Sequence, residues 1–308
     1  MMRLLVPAMG VLLLGVLPVS GQQFTSSVDM VSLGVTVADR RGGLITGLSP
    51  DDFAVFEDGV RQDVRWFVDG KTAEGERPPL HIGLLFDTSG SMEADLGMAR
   101  TAAIRLCNVL SRAEDITLVD FDTEVRVARF GQNDFPRFVE RLRNRRPDGW
   151  TALYDALGVY LDGAAFQSGE KVVVVYTDGG DTRSVMSYRD ALTGLRAADV
   201  TLYVIGFLSH PGRHRVEQRM RLSQLAEATG GMAFFPSSQQ EIDKAYAQVL
   251  DEVNARYTLG YVSTNAREDG AWRKVDIRLL RPDLTKAEIR ARRGYYSVLR
   301  LAKDGSEP

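Results

Sequence analysis

From residue 80 to residue 254 the chain alternates short apolar runs with stretches in which apolar residues recur every three or four positions. The runs at 80–86 (LHIGLLF) and 171–176 (KVVVVY) have the length and branched-aliphatic content of strands buried on both faces. The pattern predicts strands near 80–87, 115–121, 124–130, 171–177, 200–207 and 232–235. Helices are predicted near 92–110, 134–143, 151–164, 188–197, 218–228 and 238–254. The segment 115–130 reads as a hairpin through Asp122-Thr123, so one edge strand should run antiparallel. The other strands should be parallel, because βα alternation needs crossover helices.

The flanks have a different period. Val31, Leu33, Val35 and Val37 alternate with polar or small residues, the mark of a half-buried strand. Asp39 to Gly43 is a turn, and Phe53 and Val55 begin another strand. Asp58-Gly59 then predicts a hairpin ahead of a strand over 60–67. After residue 255 alternation returns at Tyr257, Leu259 and Tyr261, again at Val275, Ile277 and Leu279, and over 289–297. Too few strands lie on either side to be stable alone. The expected fold is therefore a doubly wound, mostly parallel α/β sheet inserted in a small all-β sandwich formed by both ends of the chain. The division reads as an N-terminal β segment and linker over 22–75 and the α/β unit over 76–254. A C-terminal β segment over 255–298 should pack against 22–70, and 299–308 should be a disordered tail.

Residues 1–21 have the form of a secretory signal peptide: Arg3, an apolar stretch from Leu4 to Leu17, then small residues at Val19-Ser20-Gly21. That stretch is short for a membrane span. The expected mature chain has no span and is secreted or periplasmic, with cell-surface association or an uncleaved anchor as alternatives. The 308 residues are 44% hydrophobic and 26% charged with a net charge of −3, which gives no electrostatic case for nucleic acid. The one basic cluster, Arg141, Arg143, Arg145 and Arg146, reads as a solvated helix end. Cys107 is the only cysteine, so no disulfide can form within the chain; it falls on the apolar face of its predicted helix.

The candidate chemistry lies where strands end. Asp87-Thr88-Ser89-Gly90-Ser91 directly follows the first buried strand. Alternate side chains of an extended loop point the same way, so Asp87, Ser89 and Ser91 can converge at the carboxyl end of a strand, where open α/β sheets place ligands. The donors are all oxygens, which suits magnesium, calcium or manganese rather than zinc. Thr151 precedes the helix of Leu153-Tyr154-Asp155-Ala156-Leu157, and the second buried strand ends in Thr177-Asp178-Gly179. Each piece alone also suits a helix cap or an ordinary turn. Asp181 reads as a solvated loop carboxylate, with support of the site from behind its ligands as the alternative, and Asp155 as structural.

A D-x-S-x-S loop, a threonine before L-Y-D-A-L and a strand ending in T-D-G, in that order, resemble the von Willebrand factor type A domain over roughly residues 79 to 253. The flanking blocks V-T-V-A-D-R-R-G and Y-T-L-G-Y extend the resemblance to the bacterial secreted "VWFA-related" family. The resemblance implies a metal-ion-dependent adhesion site with octahedral Mg2+ on Ser89 and Ser91, completed by Asp87, Thr151 and Asp178 directly or through water. It further implies a protein partner that supplies an Asp or Glu carboxylate to the ion, and no enzymatic role. One alternative is a structural subunit of a surface or periplasmic assembly; another is a metal-dependent hydrolase. The hydrolase would need a base near the ion, and the histidines are only His81, His210 and His214.

Overall fold

The computed structural model describes residues 30–71, 77–109, 112–208 and 214–299. The predicted signal peptide, His210, part of the predicted linker and residues 300–308 of the predicted tail lie outside the described residues. The chain opens with β1 (Met30–Ala38), β2 (Phe53–Glu57), β3 (Val60–Gln62) and β4 (Val64–Val68). Its middle runs β5 (Leu80–Asp87), α1 (Leu96–Val109), β6 (Ala113–Phe121), β7 (Val125–Gly131), α2 (Phe135–Asn144) and α3 (Leu153–Ala164). It continues through β8 (Glu170–Thr177), α4 (Tyr188–Ala197), β9 (Thr201–Gly206), α5 (Arg215–Glu227), β10 (Ala233–Phe234) and α6 (Gln239–Ala255). The last strands are β11 (Tyr257–Val262), β12 (Trp272–Leu279), β13 (Glu288–Arg290) and β14 (Gly294–Tyr296).

The middle strands form one sheet in the order β10-β9-β8-β5-β6-β7. All neighbours are parallel except β6 and β7, which pair antiparallel at the edge as the hairpin predicts. β5 is buried throughout because helices cover both of its faces. Leu80, Ile82, Leu84 and Phe86 join Ala103 and Leu106 of α1 and Ile242 and Val249 of α6 in one core. Leu85 faces the other way, with Val173, Leu157 of α3 and Leu222 of α5. Gly83 makes room for α3: a Cβ there would lie 2.3 Å from the Tyr160 ring.

The end strands form two further sheets, β13-β1-β11-β4 and β14-β12-β2-β3. β1 pairs antiparallel with β11, Leu33 opposite Leu259, so residues more than two hundred positions apart share one ladder. Leu33, Val35, Val55, Tyr257, Leu259 and Tyr261 fill the space between the sheets. The protein is thus an α/β domain set within a β-sandwich built from both chain ends, the fold class the pattern predicts.

The details depart from expectation where strands change sheets. The single strand predicted over 60–67 divides at Asp63, sending β3 to one sheet and β4 to the other. Such a corner is how one chain serves both layers of a sandwich. Gln62 fixes it: its amide donates to Thr264 Oγ1 (2.9 Å) and its carbonyl accepts from Thr264 N–H (3.0 Å). The run over 289–297 splits in the same way into β13 and β14. The Asp58-Gly59 turn forms as expected, both residues at positive φ (48° and 85°).

Candidate functional site

β5 and β8 lie side by side and parallel, Phe86 opposite Tyr176, so Asp87 and Thr177 end their strands at one edge. Asp87 is fully buried. Its Oδ2 accepts from the Thr177 hydroxyl at 2.6 Å and its Oδ1 from Ser89 N–H at 2.9 Å. Burial pushes its carboxyl up to about 7; the hydrogen bonds from Ser89 and Thr177 oppose that rise, and the charge of Asp178 adds to it. The ion pairs of the neighbouring carboxylates Asp120 and Asp122 go to arginines, whereas among the described residues none includes Asp87.

The hydroxyls of Ser89 and Ser91 lie 3.1 Å apart. Ser89 precedes a 3-10 turn (Gly90–Met92) that delays α1 to Leu96, yet its side chain makes no capping bond to that turn. Thr151 reaches the same edge through the segment after α2. Gly90 N–H donates to Gly149 O (3.1 Å) and Asp148 N–H to Thr88 O (2.9 Å), tying the two loops together. Gly149 takes φ +70°, and a Cβ there would lie 2.4 Å from Thr123 Oγ1. Thr151 is 3% exposed, and the cap position of α3 belongs to Ala152, so the Thr151 hydroxyl is not a helix cap. Its N–H donates to Thr182 Oγ1 (3.0 Å), while its carbonyl accepts from the amides of Thr182 and Arg183.

Asp178 is half-buried and heads the turn after β8, where Gly180 N–H donates to its Oδ1 (3.3 Å). Gly179 takes φ +80°, and its N–H donates to Thr177 Oγ1 (3.0 Å). The loops carrying Asp87, Ser89, Ser91, Thr151 and Asp178 thus meet at one strand edge. Among the described residues no group of three or more His, Cys, Asp or Glu could hold a metal. A cation at this edge would therefore rely on hydroxyls beside its two carboxylates, and a donor set of oxygens alone fits Mg2+, Ca2+ or Mn2+.

At four places the fold adds to or corrects the sequence reading. Thr177, inside the quoted T-D-G motif, is the donor that orients Asp87. Asp155 accepts the amides of Val185 (2.9 Å) and Met186 (2.8 Å), which makes it structural as expected and shows what it holds. Asp181 is a correction: it is half-buried, accepting from Ser184 Oγ (2.6 Å) and Tyr154 N–H (3.3 Å), and burial raises its pKa. The arginine cluster is another. Arg141 and Arg145 do not simply face solvent but converge on fully buried Asp120.

The histidines lie elsewhere. His81 is buried at the far end of β5, with Nδ1 2.8 Å from Asp115 Oδ2 and Nε2 2.9 Å from Ser168 O. At strand rise that is about 20 Å from Asp87. His214 is exposed at the start of α5, 3.8 Å from Glu217.

The arrangement defines a class: an α/β domain whose polar loops gather at the carboxyl ends of its parallel strands. The sequence model of the von Willebrand factor type A domain matches residues 81–248, more than half of the 308 residues, and the chain belongs to that family. No curated protein matches it. The pilus adhesin SpaC from Lactobacillus rhamnosus GG, in its open conformation, is similar in structure at 9% identity, over 86% of this chain and 51% of that one, with a TM-score of 0.50. The PilB minor pilin from Streptococcus sanguinis is 15% identical over 58% of this chain, with a TM-score of 0.47. The von Willebrand factor type A protein from Catenulispora acidiphila is 12% identical over 82% of this chain and 75% of that one, with a TM-score of 0.48. At these identities the likeness is one of fold. The match spans 62% of the PilB chain.

Proposed function

We propose that this protein is a divalent-metal-dependent protein-binding module of adhesion type, exported from the cytoplasm by its leader, and not an enzyme. Ser89, Ser91, Thr151, Asp87 and Asp178 would hold Mg2+, with Ca2+ or Mn2+ as substitutes. The bound ion supplies an electrophilic position for one carboxylate oxygen of a partner's Asp or Glu. The observation that carries this reading is Asp87 itself. A fully buried carboxylate is costly unless a positive charge compensates it, and hydroxyls rather than a basic side chain surround it. Ser89 and Thr151 support it further, since neither hydroxyl caps a helix. Next to Thr151 stands Trp150, 64% exposed, and beyond it Val185, 93% exposed, apolar positions that a protein partner could cover.

An export role is supported by the leader sequence, and no helix among the described residues is long and apolar enough to cross a membrane. Against a hydrolase, His81 is engaged at the other end of its strand. Calorimetry with Mg2+ and Mn2+ tests the site. Wild type should bind one ion per chain, Asp87→Ala should bind none, and Asp155→Ala should keep its ion. Equal binding by wild type and Asp87→Ala would end the assignment. Once a partner is in hand, binding to it should vanish in chelator. Persistence there would move the function to the sandwich edges, where a structural subunit would make its contacts.

A further inference from the structure

The α/β domain and the sandwich meet beside the amino-terminal ends of β8 and β9, at the opposite end of the sheet from Asp87, and border a half-open cavity of about 360 Å³. That volume is in the range of small-molecule sites. Its lining includes Glu170, Lys171, Asp199 and Arg256, and on the sandwich side Met30 and Trp66.

The charges there do not cancel pairwise. Glu170 accepts from Arg112 (2.8 Å), and Asp199 lies 3.5 Å from Arg292. Among the described residues no ion pair includes Lys171 or Arg256, though they are only 9% and 8% exposed. The Lys171 amine donates to the carbonyls of Gln167 (3.0 Å) and Gly169 (3.2 Å), which leaves one of its three protons. Arg256 donates to Thr201 Oγ1 and to Gly34 O (3.2 Å), while its Nε has no partner among the described residues. Arg256 therefore ties β1 to β9, but that tie accounts for only part of its hydrogen-bonding capacity and for none of Lys171. Burial depresses the pKa of Lys171; the charge of Asp199 opposes that shift and the charge of Arg292 adds to it.

Part of the lining is apolar. Met30 and Trp66 converge over Gly260, where a Cβ would lie 2.9 Å from Met30 Sδ and 3.1 Å from Trp66 Cβ. Thioether, indole and two buried cations thus line one cavity, Arg256 lying against Gly34 of β1.

We propose that this cavity binds a small organic carboxylate, its anion between Lys171 and Arg256 and its apolar body against Met30 and Trp66. The site is independent of the metal reading, since it lies at the other end of the sheet. Calorimetry on the full chain uses acetate, octanoate and 4-phenylbutyrate as probes, with 4-phenylbutanol and inorganic phosphate as controls. At least one of the two longer carboxylates should bind at one site per chain and more tightly than acetate. The alcohol should bind about tenfold or more weakly, the loss expected when a charge-assisted hydrogen bond is removed. Lys171→Gln and Trp66→Ala should each weaken the bound probe about tenfold by the same reasoning, and Asp87→Ala should not change it. Two variants on different strands guard against a misfolded one, and circular dichroism checks each. No binding of any carboxylate at millimolar concentration would overturn the proposal, as would unchanged affinity in both variants. Phosphate binding as tightly as the longer acids would overturn the assigned apolar wall.

Discussion

Asp120 shows how much one residue organises here. It sits near the end of β6, fully buried, with Arg141 and Arg145 each 2.8 Å away and Arg126 at 3.6 Å. Arg100 of α1 adds bonds to the carbonyls of Leu142 and Arg145. The segment leading to Thr151 is therefore anchored through its arginines before it reaches the candidate site. Asp120→Ala would leave Arg141 and Arg145 without their buried counter-charge, and should destabilise the fold by about 3–5 kcal/mol in urea denaturation. Arg137→Ala, whose side chain is 76% exposed beside Asp134, should change stability by no more than about 1 kcal/mol. A loss below that for Asp120→Ala would show that the cluster is not an anchor. The sequence could not show this pairing, because Asp120 and Arg145 meet only once β6 and α2 are packed. Asp87, Ser89 and Ser91 were legible for the opposite reason, since alternate residues of one loop share a direction whatever the tertiary context. Thr177 fell between: it reads as a β-branched strand residue until the register of β5 and β8 sets it against Asp87.

The elements beside the site are joined by reciprocal clamps. α3 gives Asp155 to the amides of Val185 and Met186, while the loop after β8 returns Asp181 to the amide of Tyr154 near the start of the helix. Each carboxylate replaces hydrogen bonds that a loop or a helix start otherwise lacks. Asp155→Ala should cost about 1–3 kcal/mol, the penalty for leaving such donors unpaired. Hydrogen exchange should show the amides of Val185 and Met186 losing protection while that of Ser89 keeps it; unchanged protection at 185 and 186 would refute the clamp. Periodicity located these elements well, because two-sided burial of β5 and β8 leaves uninterrupted apolar runs. It missed the division at Asp63, where residues on both sides keep alternating and only the change of sheet separates β3 from β4. Periodicity carries no information about which layer a strand joins.

At the scale of the whole molecule, the sandwich depends on the chain closing upon itself. β1 lies between β11 and β13, so both its neighbours come from beyond the α/β domain. The buried faces of Leu33 and Val35 are completed by Tyr257 and Leu259. The α/β domain has its own two cores and owes little to that closure, apart from links such as Arg290 to Glu252 (2.7 Å). On this division, a chain ending at residue 254 should lose the sandwich and keep the domain. Limited proteolysis should then cut within 30–71, as strands without partners expose their backbone. Residues 76–254 alone should unfold in one cooperative transition and bind Mg2+ as the full chain does. Because fully buried Glu252 loses Arg290 while Tyr203 still donates to it, that transition should fall by about ten degrees, a shift worth roughly 3 kcal/mol. Should 76–254 fail to fold while the full chain does, the sandwich would be an obligate part of the domain and not a frame around it.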